Sequence, residues 1–140
     1  MKITILRTSV AVLGLFFATV AMAADVVVIA NKSNDNSVDK AFIVKAFTGE
    51  AKNWPDGDTL HLLDQSEGSP SRAAFNSGIL GKSDSAVKAM WAQKIFSGKA
   101  LPPKVVNSDD DVKKAVAANK NAIGYISAAA IDNTVKVIMK

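Results

Sequence analysis

The sequence predicts an α/β domain built on a mixed, mostly parallel sheet with helices on both faces. Three observations predict it. Short apolar or β-branched runs alternate with segments of helical periodicity along the chain. The run Val26-Val27-Val28-Ile29 is continuous rather than alternating, the pattern of a strand buried on both faces, as in parallel sheets. Helix start and stop signals fall between the runs: Ser69-Pro70, Ser83 and Ser108 at starts, Gly49 and Gly98 at stops.

Ahead of the first strand the chain begins Met1-Lys2, with Arg7 following. An apolar run from Val10 to Val20 then closes with Ala21-Met22-Ala23 before Ala24-Asp25. A basic start, a short apolar stretch and an A-x-A site are the parts of a secretory signal peptide. The run is short of the roughly 20 apolar residues a membrane span needs. The expected division is therefore a signal peptide over residues 1–23 and a single domain over 24–140, exported to the periplasm and without a membrane anchor once the signal is cleaved. An uncleaved anchor is the competing reading.

Composition removes several function classes. The chain has no cysteine, which excludes lipid attachment after the small residues, disulfides and thiol catalysis. A single histidine argues against a structural zinc site, and no cofactor is expected. The formal net charge is +4, but two of the 17 basic residues and none of the 13 acids lie in the expected signal, so the remainder is only mildly basic. With no cluster of four lysines or arginines, nucleic acid binding is not indicated. A mild positive balance suits small anions.

The elements follow in order. Asn31 to Asn36 is a polar turn-forming loop. Ser37 is a good N-cap for a helix whose apolar face is Val38, Phe42, Ile43, Ala46 and Phe47, stopped by Gly49. Trp54-Pro55-Asp56-Gly57 reads as a turn, and Thr59 to Leu63 as the second strand. After a polar loop from Gln65, Ser69 caps a short helix with Pro70 at its first position, running to about Leu80. Ser83 caps the next, with Val87, Met90, Trp91 and Ile95 at spacings of three and four, and Gly98 ends it. Pro102-Pro103 lead into a short strand, Lys104 to Val106. Ser108 begins a helix with Asp109, Asp110 and Asp111 in its first turn, where carboxylates favour the helix dipole, and Val112, Ala115 and Val116 as its apolar stripe. Ala122 to Ile126 and Val135 to Ile138 are the last strands. Lys45 to Gly49 and Lys94 to Gly98 echo one another, explained as two helix stops, each with a packed aromatic.

In such sheets ligands lie beyond the carboxyl ends of strands, where helices begin. Two loops qualify, residues 31–37 and 64–72. The second has the parts of an anion site: Gly68 to let a ligand approach the backbone, Ser69 and Ser71 as hydroxyl donors, Arg72 as a charged fork, and a helix N-terminus with free amides. Ordinary helix capping explains the same serines, and Asp64 and Glu67 would repel an anion unless turned away. His61 reads as a packed or surface residue, and Trp54 and Trp91 as core or rim packing. No Walker loop, dinucleotide fingerprint, nucleophile elbow or zinc motif is present.

The ordered segments carry a resemblance. A helix ending in Phe47-Thr48-Gly49 leads to Trp54-Pro55-Asp56-Gly57. A strand follows, then Gly68-Ser69-Pro70-Ser71-Arg72-x-x-Phe75, then Trp91 and Phe96-Ser97-Gly98, and Asn121-Ala122-Ile123-Gly124-Tyr125-Ile126 closes the series. This resembles the phosphate-binding-protein-like group of periplasmic solute-binding proteins, the extracytoplasmic parts of phosphate ABC importers. The resemblance implies a two-lobed flytrap that holds phosphate by helix N-termini, serines and an arginine, without catalysis. Its Gly-Ser-Gly-Thr helix start falls on Gly68, Ser69, Pro70 and Ser71. Pro70 departs by lacking a backbone donor, and the family's preceding arginine falls near the uncharged Gln65. Two-lobed members are more than twice this long, so the chain corresponds to a single lobe. A flytrap needs two walls, so the implied partners are inorganic phosphate or a similar oxyanion, with an ABC permease or a second chain completing the cleft.

Three functions are thereby ranked. An oxyanion-binding protein of an ABC-importer type system comes first. A protein-interaction module built on the same lobe, with no small-molecule ligand, comes second. An enzyme comes last, because no nucleophile–base pair or metal cluster is visible.

Overall fold

The computed structural model of the chain describes residues 25–140; the expected signal peptide lies outside them. The strands are β1 (Val26–Ala30), β2 (His61–Gln65), β3 (Lys104–Val106), β4 (Ala122–Ser127) and β5 (Lys136–Met139). The helices are α1 (Lys40–Phe47), α2 (Pro70–Phe75), α3 (Asp84–Phe96) and α4 (Asp109–Ala118). A π turn over Asn76–Leu80 continues α2, and a 3₁₀ turn over Ala128–Ala130 follows β4. Among the described residues no helix is long and apolar enough to cross a membrane.

The sheet is five-stranded in the order β3-β2-β4-β1-β5. β2 runs parallel to both β3 and β4, while β1 runs antiparallel to both β4 and β5. The sheet is thus mixed, with helices on both faces as expected. One core packs α1 and α2 against one face through Ile43, Ala46, Phe47 and Phe75. The other packs α4 against the opposite face through Val112 and Val116. The β1 run Val27 to Ala30 is buried throughout, as its composition requires. The parallel pairing expected for it does not hold, because burial on both faces follows from helices above and below, whichever way the neighbours run.

Several boundaries differ from the sequence reading. α1 is capped by Asp39, whose Oδ1 accepts from the Phe42 amide at 2.9 Å, and not by Ser37. Asn36 instead pairs with the Asp56 turn, donating to Asp56 Oδ2 at 3.0 Å and accepting its amide at 3.1 Å. That keeps the segment before Asp39 out of the helix. β2 extends to Gln65, because this polar strand end finds protein partners. β5 begins one residue later than expected.

The glycine stops are as read. Gly49 and Gly98 have φ of +79° and +70°. Each ends its helix with a paired closure: Glu50 to Lys45 and Gly49 to Ala46, then Lys99 to Lys94 and Gly98 to Ile95. The echo breaks at the aromatics. Phe47 is buried, whereas Phe96 is 95% exposed.

Candidate functional site

β2 and β3 are parallel neighbours, and each is followed by a helix. Their helices therefore start side by side at one end of the sheet. This places the first turn of α4 against the first turn of α2, and a site forms where they meet. The loop 31–37 follows β1, which runs the other way, so it lies at the opposite end. Its asparagines are engaged there: Asn31 donates to the Val116 carbonyl at 2.9 Å and Asn34 to that of Lys120 at 3.1 Å.

Ser69 caps α2, accepting from the Arg72 amide at 3.3 Å, with Pro70 at the first helical position. Gly68 stands before it at φ +85°, in a turn closed by the Ser69 amide on the Ser66 carbonyl at 3.1 Å. That φ alone demands glycine, as at the third position of a type II turn. Gly68 remains exposed.

The other three predicted residues come together in a tight polar cluster around Gln65, which is 2% exposed. Its side-chain oxygen accepts from Ser69 Oγ at 2.6 Å. Its amide nitrogen donates to Asp109 Oδ1 at 2.7 Å and to the Tyr125 carbonyl at 3.1 Å. Ser71 Oγ donates to the same Asp109 oxygen at 3.0 Å. Arg72 is turned under the loop, its Nη1 donating to the Gln65 carbonyl at 3.2 Å, while its Nε is buried with no acceptor. Arg72 also lines a recess of about 310 Å³ with Glu67, Asp84, Ser85 and Lys88, where Lys88 pairs with Glu67 at 2.8 Å. That pairing holds the Glu67 carboxyl below its ordinary pKa. It also answers the repulsion that the sequence raised against an anion here.

The expected open row of amides is therefore largely occupied. The Arg72 amide goes to Ser69 Oγ and that of Ala73 to the Ser69 carbonyl, and Pro70 has none. Both serine hydroxyls are also engaged, and Ser71 and Arg72 are buried. What sits at the meeting of the two helices is a carboxylate, that of Asp109. A carboxylate is itself an oxyanion, held by a hydroxyl and an amide in the manner of a bound anion.

Beneath the cluster lies an aromatic floor. Phe75 and Tyr125 stack at 4.1 Å and 6°, and Phe47 meets Phe75 edge-on at 4.7 Å. The Tyr125 hydroxyl donates to Asp64 Oδ1 and accepts the Gln65 amide at 3.1 Å. Burial first, and the Asp64 carboxylate second, push the phenol well above its ordinary pKa. Asp64 is thus turned onto Tyr125, away from the α2 mouth.

Sequence reasoning missed Asp109 and Gln65 as members of this cluster. The strand order that brings α4 beside α2 is what reveals Asp109. Gln65 was visible only as the neutral replacement for an arginine. His61 is exposed, and both tryptophans are buried, Trp54 donating from Nε1 to the Asn121 carbonyl at 2.9 Å. Among the described residues no group of three or more His, Asp or Glu side chains could hold a metal.

A sequence profile described as the PBP superfamily domain matches residues 12–139. No curated protein matches the sequence significantly. Among solved structures, the chain is similar to an ABC-type phosphate transport receptor from Vibrio cholerae, at 22% identity and a TM-score of 0.64. It is similar at 22% identity and 0.65 to a protein from Clostridium perfringens, assigned as a phosphate ABC transporter substrate-binding protein and solved with bound phosphate. PstS from Borrelia burgdorferi gives 14% and 0.63. These matches cover 82%, 82% and 83% of this chain but only 45%, 44% and 47% of theirs. The chain therefore spans less than half the length of each. At such identities the likeness is one of fold: a mixed five-stranded α/β unit matching one lobe of a binding protein. Profile and fold agree, and the chain belongs to the PBP superfamily.

Proposed function

We propose that this chain is a periplasmic oxyanion-binding lobe of the ABC-importer type, with inorganic phosphate as its first candidate ligand and no catalysis. The observation that carries the reading is the Asp109 carboxylate held by Ser71 Oγ and Gln65 Nε2 where α2 and α4 begin. Donors that hold one oxyanion can hold another. Phosphate would enter at Gly68, displace Asp109 from Ser71, and meet the Ser71 amide, the one amide between Ser69 and Ala73 without an acceptor. Arg72 and Lys88 supply positive potential beneath and beside that position. The relatives named for phosphate transport support this choice of anion.

The same geometry sets the affinity. A tethered carboxylate competes with the ligand, and one lobe offers one wall instead of two. The expected dissociation constant is therefore on the order of millimolar, tightening when a second chain or a permease closes over the mouth. Calorimetric titration of the folded protein with phosphate, and separately with sulfate, tests this. Absence of heat with either anion at millimolar concentration removes the proposal.

A second reading is favoured by the occupied donors themselves. If Asp109, Ser69 and Gln65 have closed the mouth for good, the lobe is a protein-interaction module without a small-molecule ligand. Light-scattering molar mass and pull-down from envelope extract distinguish the two. A strictly monomeric protein that captures no partner argues against the module.

A further inference from the structure

The end of α3 and the loop beyond it carry apolar side chains that nothing in the described chain covers. Phe96 is 95% exposed, Leu101 88%, Val105 55% and Ile95 44%. One exposed apolar residue is ordinary, but four within eleven residues form a patch that needs an occupant. The backbone presents them rigidly. Gly98 at φ +70° locks the helix stop, and Pro102-Pro103 stiffen the return into β3. Leu101 stands at the edge of an apolar recess of about 410 Å³ that Leu60, Leu62, Trp91 and Ile95 also line.

The stretch of chain that carries the patch is basic. From Ser85 to Asn107 there are four lysines, Lys88, Lys94, Lys99 and Lys104, and no aspartate or glutamate. Lys88 pairs with Glu67, whereas the other three have no carboxylate within ion-pair distance among the described residues. This pattern selects the occupant. A second copy of the same face would set lysines against lysines, which disfavours a symmetric dimer through it. An apolar partner would leave the lysines unused. The complement is an anionic surface with an apolar interior. Phe96, 95% exposed, stands out into solvent, a shape suited to a soft phase that closes around it.

We propose that the Phe96–Leu101 rim docks on a bilayer surface containing anionic phospholipid. The phenyl ring and leucine enter the interfacial region, and Lys94, Lys99 and Lys104 lie against head-group phosphates. Neither signal suffices alone; an apolar wedge together with a basic rim is the combination that gives stable, reversible attachment. The proposal is independent of the oxyanion site.

Co-sedimentation of the full chain with vesicles tests it, using phosphatidylcholine alone and phosphatidylcholine with about 30% phosphatidylglycerol, the anionic fraction that sets surface attraction. The wild-type chain is expected to partition onto the anionic vesicles at low salt and to leave them at high salt, where the surface charge is screened. Neutralising the three lysines, K94Q/K99Q/K104Q, should weaken partitioning by about 100-fold, from roughly a fivefold factor per lysine. The exposed pair F96S/L101S should weaken it by about tenfold or more through lost apolar burial. Circular dichroism checks that both variants keep the fold. Equal partitioning of wild type and F96S/L101S would assign any binding to another segment, such as Val10 to Val20, and overturn the proposal. Binding to polyglutamate without binding to vesicles would overturn it in favour of an acidic polypeptide partner.

Discussion

Replacing Asp109 by alanine removes the carboxylate on which the α2–α4 mouth is closed. Two charge-assisted hydrogen bonds go with it, from Gln65 Nε2 at 2.7 Å and from Ser71 Oγ at 3.0 Å. Bonds of this kind contribute about 1.5–3 kcal/mol each. The loss is unequal. Gln65 Nε2 keeps the Tyr125 carbonyl at 3.1 Å, while Ser71 Oγ, on a residue only 5% exposed, is left without its acceptor. Asp109 is also the first residue of α4, where a carboxylate adds about 0.3–1 kcal/mol against the helix dipole. The expected net destabilisation is about 2–4 kcal/mol, read as a lowered urea midpoint at unchanged slope. Added phosphate then discriminates. With the competing carboxylate gone, phosphate at about ten times its dissociation constant should return about 1.4 kcal/mol to Asp109→Ala. It should return less to the wild type, where the ligand must first displace the side chain. Chloride at matched ionic strength controls for screening. A loss below about 0.5 kcal/mol would mean that Asp109 does not hold the mouth, since that is the range of a neutral surface change. Equal stabilisation by phosphate and chloride in a folded variant would remove the oxyanion reading.

Two other outcomes follow from the core. A methyl group added at Gly124 would sit 2.6 Å from Val112 Cγ1 and 3.4 Å from Leu63 Cβ, so Gly124→Ala should cost about 1–3 kcal/mol by overpacking. Combining it with Val112→Ala should cost less than the two singles together, and simple additivity in denaturation would contradict the contact. Tyr125 is the chain's only tyrosine, so absorbance at alkaline pH reports on it alone. Its raised pKa stabilises the fold fully below the unfolded value of about 10, and that stabilisation is lost as pH rises above it. Tyrosinate absorbance should therefore appear only together with unfolding, and reversible ionisation near the ordinary value in an intact fold would contradict the buried Asp64 contact.

Much of the local structure was legible in the sequence because its causes are local. Ser69, Ser83 and Ser108 cap their helices, Pro70 takes the first helical position, and Gly49 and Gly98 stop their helices at positive φ. The missed cap shows the limit. Ser37 and Asp39 are both good caps, and what chose Asp39 was the bond between Asn36 and Asp56, 20 residues away. The site divides in the same way. Ser69, Ser71 and Arg72 do gather, as their spacing on a helix start requires. Their partner Asp109 is 38 residues from Ser71 and arrives only through the order β3-β2-β4-β1-β5, which no local signal encodes. The same blindness covers Phe96. Its sequence setting matches that of Phe47, yet one ring meets Phe75 and Tyr125 while the other faces solvent.

The placement of β1 also governs how the molecule can be assembled in time. Val26 pairs with Ser127, and Val28 with both Tyr125 and Met139, so β1 is wedged between partners about a hundred residues downstream. Its sticky valines have no lasting berth until residues 123–139 have been made. Closure of the sheet waits on these distant pairings, which slow folding as a class. Losing the final few residues would uncover one flank of β1, not merely shorten a tail.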